Sequence, residues 1–302
     1  MVNFIKYTIT ALIVVLNCVS CKTAQTSVTK LRDTKWIHGS ANCKENTDVA
    51  IQVVQLNSTT WILRQNKCIN YEAPFMFLFT GNKKALLMDT GATEDSSIFP
   101  LYETVVKLLT QAAKAGSPAL ELIVAHTHAH GDHIAGDIQF KNKPNTTVVG
   151  LNIENVKSIF NIKNWPVENG SIDLGNRLLE IIPIPGHQQA SIAVYDTETN
   201  ILLTGDSFYP GRLYIRDWPA FVVSTQRLLD FASNHKVSYL LGNHIEMTTS
   251  PGKDYPTGTT YQPDEHNLPL SIAELAELNT ALKKLGNKPA RETHNSFIIY
   301  PK

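Results

Sequence analysis

The densest group of reactive side chains in this sequence lies in AHTHAHGDHIAG, residues 125–136, where His126, His128, His130, Asp132 and His133 crowd together. Neutral imidazoles and a carboxylate are good zinc donors, and no thiolate is near. In an extended segment, residues two apart project to the same side, so His128 and His130 can aim at one point. Gly131 is expected to let the backbone turn sharply and bring Asp132 and His133 to a second point nearby. Such an arrangement at the end of an apolar run points to metal binding rather than to core or solvated surface. Three more candidates each follow an apolar run: His187 in PGH, Asp206 in LLTGD and His244 in LGNH. Loops directly after strands are where α/β folds place their site residues. No serine or cysteine constellation competes, because Cys43 and Cys68 lie far from these motifs and outside any nucleophile context.

Donors scattered this widely need strands that end at a common edge. Alternating or wholly apolar runs predict strands at Val49–Leu56, Trp61–Arg64, Phe75–Thr80, Ala85–Met88 and Leu120–Ala125. Others fall near Thr147–Leu151 and at Arg177–Ile184, Ser191–Tyr195, Ile201–Thr204 and Ser238–Leu241. A helix over Leu101–Ala115 presents Leu101, Val105, Leu108, Leu109 and Ala112 on one face, and Gly116 can end it. Shorter helical patterns cover Ile153–Phe160 and Val222–Ser233. A last helix, Ser271–Leu285, opens with Ser271 and Glu274 as a capping box. The alternation without linkers or repeats predicts one α/β domain of two sheets covered by helices. Its 302 residues, 43% of them hydrophobic, suffice for such a core, and a formal net charge of zero gives no general attraction to nucleic acid.

Lys6, the apolar run Ile9–Leu16 and the small or polar residues Asn17–Cys21 follow the order of a secretory signal. VSC at 19–21 is similar to a bacterial lipoprotein cleavage site, which would leave a lipidated Cys21 as a membrane anchor; simple cleavage is the other reading. The expectation is an exported chain (periplasmic, membrane-anchored or secreted) with a signal at 1–21, an arm at 22–47 and a catalytic domain at 48–302. Cys43 and Cys68 flank a strand pair, and an oxidising compartment would let them join.

With MDTG at 88–91, THAHGDH at 127–133, PGH at 185–187, TGD at 204–206 and GNH at 242–244 in that order, the sequence resembles the metallo-β-lactamase superfamily. The resemblance covers about Asp48 to His244. It implies an αββα sandwich of two mixed β-sheets flanked by helices, with two zinc ions at one edge. His128, His130 and His187 would hold the first zinc, and Asp132, His133 and His244 the second, with Asp206 bridging. Asp89 would support the metal loop by hydrogen bonding. His126 has no ligand counterpart and is expected to pack at a strand end. Two dications would lower the pKa of water toward ~7 and furnish a hydroxide nucleophile. Asp132, the candidate catalytic residue, would orient that nucleophile and carry its proton.

Most β-lactamases of this family have cysteine or serine where Asp206 stands, so the chain looks more like the glyoxalase II and lactonase branches. The short stretch after His244 leaves little for a glutathione-binding extension. The resemblance therefore implies hydrolysis of a lactone, ester or thioester of a small molecule. The alternatives are a β-lactamase, a mono-iron sulfur oxygenase and a non-catalytic metal-binding protein. Ile245–Leu268, rich in turn formers, is the expected source of specificity if it covers the pocket, with a plain surface excursion as the other reading. Tyr209, Arg212 and Tyr214 lie close enough behind Asp206 to reach the pocket or to serve structure alone. His235 and His266 belong to no motif and are expected at the surface.

Overall fold

The computed structural model describes residues 31–113 and 118–302. The signal and the lipidation site read from residues 1–21, and the helix stop read at Gly116, lie outside the described residues. Among the described residues no helix is long and apolar enough to cross a membrane.

Six strands form the first sheet in sequential order: β1 (Ile51–Asn57), β2 (Thr60–Gln65), β3 (Phe75–Thr80), β4 (Lys84–Met88), β5 (Glu121–Ala125) and β6 (Thr146–Val148). The second sheet contains β7 (Gly170–Asp173), β8 (Leu178–Pro183), β9 (Ile192–Asp196), β10 (Ile201–Gly205), β12 (Tyr239–Gly242) and β13 (Pro269–Leu270). A third, small sheet, which the sequence patterns did not predict, joins β11 (Arg212–Ile215), β15 (Ile298–Pro301) and β14 (Glu292–Thr293). The helices are α1 (Leu101–Ala112), α2 (Gly131–Ile134), α3 (Ile153–Phe160), α4 (Trp218–Asn234) and α5 (Ile272–Leu285).

Period-two alternation assigns each strand's side chains to two cores at once. Phe75, Phe77 and Phe79 of β3 face the second sheet, while Met76 and Leu78 pack toward α1 with Leu101, Val105 and Leu108. In the second sheet, Ile192 and Val194 of β9 enter the same central layer. Ala193 and Tyr195 turn outward to Phe221 and Leu228 of α4 and Leu278 of α5. The order of layers is therefore helix, sheet, sheet, helix.

Two helix boundaries differ from the sequence pattern. α1 ends at Ala112 rather than Ala115, because Ala113 is already extended at φ −64° and ψ 133°. α4 begins at Trp218, before the expected Val222, since the Asp217 carboxylate accepts from the Ala220 N–H at 3.0 Å. Pro219 sits in that first turn, where no intrahelical bond is lost. α5 carries the expected capping box. Ser271 Oγ accepts from the Glu274 N–H at 3.3 Å, and the Ser271 N–H donates to Glu274 Oε2 at 2.8 Å.

β4, β5 and β6 run parallel, as do β10 and β12, so the loops after them emerge at shared edges. Motif residues occupy the loops after β4, β5, β10 and β12, and His187 the loop after β8, which points the same way as β10. The disulfide Cys43–Cys68 is formed, tying the segment before β1 to the turn after β2.

Candidate metal centre

Asp89, directly after β4, is the knot between the strand ends. It is fully buried and holds φ at +68°, a conformation that costs a non-glycine residue strain. Its carboxylate accepts from the Thr127 N–H at 2.8 Å, the Thr127 hydroxyl at 2.9 Å and Asn243 Nδ2 at 2.6 Å. One side chain thereby fastens the loop after β5 to the loop after β12, across the two sheets.

The glycines of the motifs play different parts. Gly186 of PGH has φ +142°, and a Cβ there would lie 2.6 Å from the main-chain nitrogen of Phe221. Glycine is therefore required for α4 to pack against this turn. Gly131 does not act as expected. Its φ lies outside the left-handed region, and a Cβ there would meet open space. The change of direction comes instead from His130, which as the N-cap of α2 is extended at φ −84° and ψ 154°, so Asp132 and His133 enter on a helical turn.

The donor atoms fall into two groups. His128, His130 and His187 form one, and Asp132, His133, Asp206 and His244 the other; within each, the candidate ligand atoms lie within 4.8 Å of one another. His187 Nε2 is 2.9 Å from His130 Nδ1. His133 Nε2 and His244 Nε2 are each 3.3 Å from Asp132 Oδ2. Asp206 faces both groups, its Oδ2 lying 3.8 Å from His128 Nε2 and His187 Nε2 and 3.5 Å from His133 Nε2. All seven positions expected from the sequence are thus brought together.

The surrounding bonds fix which nitrogen faces inward. His187 Nδ1 donates to the Tyr214 carbonyl at 2.7 Å, and His244 Nδ1 to the Glu72 carbonyl at 3.0 Å. His128 Nδ1 is 3.1 Å from the Thr127 hydroxyl, while His133 Nδ1 faces Asp89 Oδ2 at 3.3 Å as an electrostatic contact without hydrogen-bond geometry. Bonds of this kind orient metal-ligating imidazoles and set their tautomers. Meanwhile His128 Nε2 and Asp206 Oδ1 are buried without a hydrogen-bond partner among the described residues. Buried polar atoms are rarely left so, and imidazole with carboxylate is a donor set suited to zinc. The residues present fit a pair of metal ions.

Charge divides the two groups. Burial and the neighbouring His133 push His128 far below the usual imidazole range, and burial with His187 lowers His130 to about 4. Burial also lowers His187. In the second group burial opposes charge, yet Asp206 and Asp132 raise His244 to about 9 and, with Asp89, hold His133 well above its ordinary value. Burial likewise opposes the charge of Asp132 and Asp206, but His133 and His244 keep both far below the usual carboxylate range. Without metal, protons on two histidines balance the second group's carboxylates.

Above the donors is a cleft of about 420 Å³, lined among others by Asp132, Tyr209, Tyr214, Glu72, Arg216, Glu246 and Lys302. Of the residues expected to approach it, Tyr209 and Tyr214 do, whereas Arg212 is held away by ion pairs to Glu246 at 2.9 Å and Asp254 at 2.5 Å. Tyr209 is buried, with its hydroxyl donating to the Arg212 carbonyl at 2.6 Å. Of the segment after His244, only Glu246 lines this cleft. The remainder is pinned by bridges Met247–Asp254 and Thr248–Glu265 and by the pair Arg64–Glu265 at 2.5 Å, with Ile245, Met247 and Leu268 buried and Thr257 hydrogen-bonded to Tyr214 of the cleft. Sequence reasoning missed Glu72, Arg216 and Lys302 because none sits in a motif; Glu246 alone carried a signal, its place two residues after a ligand candidate. His126 is buried at the end of β5, with Nε2 2.8 Å from Asp137 Oδ1. His235 is exposed and stacks on Phe231, and His266 is partly exposed.

The family model described as the metallo-beta-lactamase superfamily matches residues 71–244, more than half the chain. The chain belongs to that superfamily. Its relatives include an acyl-coenzyme A thioesterase, MBLAC2 of Gallus gallus, 28% identical over 57% of this chain and 72% of that protein. A hydroxyacylglutathione hydrolase of Nostoc punctiforme is 27% identical over 48% of this chain and 64% of that protein. Among solved structures, the metallo-β-lactamase of Pontibacter korlensis superposes with a TM-score of 0.51, covering 77% of this chain and all but 1% of its own (99%) at 18% identity. TMB-1 gives 0.52, with 80% and 100% covered at 15% identity. At such identities the superpositions establish the αββα fold of this superfamily member.

Proposed function

We propose that this superfamily member is an exported dinuclear zinc hydrolase that cleaves a thioester, ester or lactone of a small molecule, with thioesters its first preference. One observation carries the reading: Asp206 Oδ2 stands between the two donor groups, within 3.8 Å of His128 and His187 and 3.5 Å of His133. A lone carboxylate so placed suits a bridge between two dications. The thioesterase and hydroxyacylglutathione hydrolase names of the relatives support the thioester preference.

His128, His130 and His187 would hold one zinc, and Asp132, His133 and His244 the other, with Asp206 shared. Bound there, zinc supplies Lewis acidity that polarises a carbonyl and makes water acidic near neutral pH. The chain's own contribution is orientation and proton handling. Asp132 is the most exposed carboxylate of the group, at 23% against 8% for Asp206, and lines the cleft. Its Oδ2 is turned to His133 and His244, so the other carboxylate oxygen would be the one to orient an incoming water and pass its proton toward the leaving group. Burial, with Glu246 next among the causes, pushes the Tyr209 hydroxyl well above its ordinary range, so it stays a neutral wall of the cleft.

The test is elemental analysis of the natively expressed protein, paired with a hydrolysis panel of thioesters, lactones, phosphodiesters and β-lactams. Two zincs and fastest turnover of thioesters are expected. Iron as the native metal, or β-lactams as the best substrates, would overturn the proposal. Mass spectrometry of the mature N-terminus tests export and reveals whether Cys21 is acylated.

A further inference from the structure

The cleft has two walls that differ in unpaired charge. On the His244 side stand Glu72, whose carbonyl accepts from His244, and Glu246, two residues beyond it. The Glu246 carboxylate is neutralised by an ion pair with Arg212, whereas Glu72 has a hydrogen bond from a neutral hydroxyl and keeps its charge. Glu246 accepts from Arg212 Nη2 at 2.9 Å and from the Arg212 N–H at 2.7 Å, and Glu72 accepts from the Tyr71 hydroxyl.

The opposite wall belongs to the small third sheet, which contributes no metal donor. There β11 and β15 run parallel with Ile215 beside Pro301, so the next residues, Arg216 and Lys302, stand side by side. The Lys302 N–H donates to the Ile215 carbonyl at 2.9 Å, which fixes that neighbourhood. The wall adjoins the first donor group, because the Tyr214 carbonyl accepts from His187 and the Arg216 charge is felt at His130. Lys302 Nζ rests 4.5 Å from the centre of the Tyr214 ring. Neither the Arg216 guanidinium nor the Lys302 ammonium has an anionic partner among the described residues, and both line the cleft. Adjacent cations without an anionic partner, set on the wall opposite Glu72 and the Arg212-paired Glu246, attract an anion to their own side of the cleft, and the guanidinium fork matches carboxylate or phosphate geometry.

We infer that Arg216 and Lys302 form an anion subsite beside the His130–His187 group, and that the substrate carries a carboxylate or phosphate near its scissile carbonyl. This rests on the hydrolase reading above, and it deepens it by adding a charge requirement to the substrate class.

The experiment uses matched thioesters with the zinc-loaded full chain: a succinyl thioester against its neutral methyl ester, and the same acyl group on a thiol with or without a phosphate. The expected result is that Arg216→Gln and Lys302→Gln each raise KM for the anionic member about 10-fold. The neutral member's KM and both kcat values stay near wild type, and the wild-type preference shrinks as salt is raised. Preference for the succinyl pair assigns the anion to the acyl side, and preference for the phosphate pair assigns it to the leaving group. Binding is read separately from turnover by titrating butyrate and glutarate. Glutarate's extra carboxylate should give about 10-fold tighter binding that the double variant loses. Equal Kd values for the two acids, or equal KM changes for charged and neutral thioesters, would overturn the subsite. If no thioester is hydrolysed while the glutarate advantage still depends on Arg216, the subsite stands and the hydrolase reading falls.

Discussion

The two ends of the sandwich both bury charge, and they finish the job differently. At the end remote from the metal donors, Arg177 bridges the sheets, donating through Nε and Nη2 to the Asp196 carboxylate at 2.9 and 2.6 Å. Its remaining N–H groups reach the Thr59 carbonyl at 2.7 Å and the Thr60 hydroxyl at 2.6 Å, and Asp196 further accepts from the Thr199 hydroxyl at 2.6 Å. At the other end His128 Nε2 and Asp206 Oδ1 are as deeply enclosed and, among the described residues, make no hydrogen bond, although Asp206 Oδ1 stands 3.5 Å from His244 Nε2. A buried network whose members satisfy one another is complete as it stands. One that leaves donors facing inward is complete only with a guest. This difference, more than the presence of charge, separates a structural cluster from a binding centre.

The sharpest way to break the contrast is to alter one residue at each end. Asp206→Ala should lower occupancy of both metal positions and cut turnover at least about 10⁴-fold, equivalent to about 5.5 kcal/mol in barrier. Retention of two zincs at the wild-type rate would sink the bridging role. Arg177→Ala should do the reverse. It strands Asp196 as a buried, unpaired charge and should cost about 4 kcal/mol of stability in denaturant unfolding, while zinc per folded chain stays unchanged.

Removing metal probes the same difference by pH. In the metal-free protein His244 titrates at about 9 against 6.5 for the ordinary imidazole, so the native state binds the extra proton between those values. That contribution is fully present below pH 6.5 and is lost as pH rises through about 9, a change of roughly 3 kcal/mol. His130, lowered to about 4, acts oppositely: its unfolded form takes up a proton first as pH falls below 6.5, so stability also declines on the acid side. Metal-free stability should therefore peak near pH 6.5. With zinc bound the alkaline decline should disappear, and zinc binding at pH 7 should release protons. Melting curves across pH with and without chelator, and calorimetry in buffers of different ionisation enthalpy, would show both effects. A flat alkaline limb without metal would contradict the charge division between the groups.

Much of this centre was legible in the sequence because each donor directly follows a strand whose apolar pattern is unambiguous. His187, Asp206 and His244 could be placed at one edge without knowing any distance. The fold was legible for the same reason: strands such as β3 and β9 are apolar on both faces, which a sandwich covered by helices demands. What could not be read were features fixed by long-range pairing. β11, β14 and β15 are short, at four, two and four residues, and acquire their meaning only when strands far apart in sequence meet. Arg216 and Lys302 reach the cleft through that pairing. Gly131 shows the converse, a glycine whose expected conformational role is filled by the backbone of His130 and a helical turn.

A smaller effect is expected at Asp89, which touches no proposed metal site yet faces His133 and binds Thr127 and Asn243. Asp89→Asn keeps the shape but replaces an acceptor with a donor where three donors converge. Zinc affinity should fall about 10- to 100-fold, as for other residues that orient metal ligands. Far-UV circular dichroism should remain native. Unchanged affinity would mean that the loop after β5 is held by its own packing alone.

The smallest effect is expected at His126, although it shares the crowded loop with four candidate donors. Its Nε2 lies 2.8 Å from Asp137 Oδ1, the same oxygen that accepts from the Thr90 hydroxyl at 2.9 Å. Asp137 is 15% exposed, so water can replace the imidazole there once it is removed. His126→Ala should then cost about 2 kcal/mol of fold stability, one modest hydrogen bond plus the packing of a buried ring. The Thr90 N–H and hydroxyl would still hold the His133 carbonyl, at 2.8 and 3.2 Å, and keep the ligand loop in place. Zinc content and turnover should stay within about threefold of wild type, because that cost falls on the fold and not on the donor atoms. His128→Ala, two residues on, should empty mainly the first metal position. If both variants lose zinc alike, the His126–Asp137 pair belongs to the machinery that shapes the centre, and the division between donors and neighbours along this loop must be redrawn.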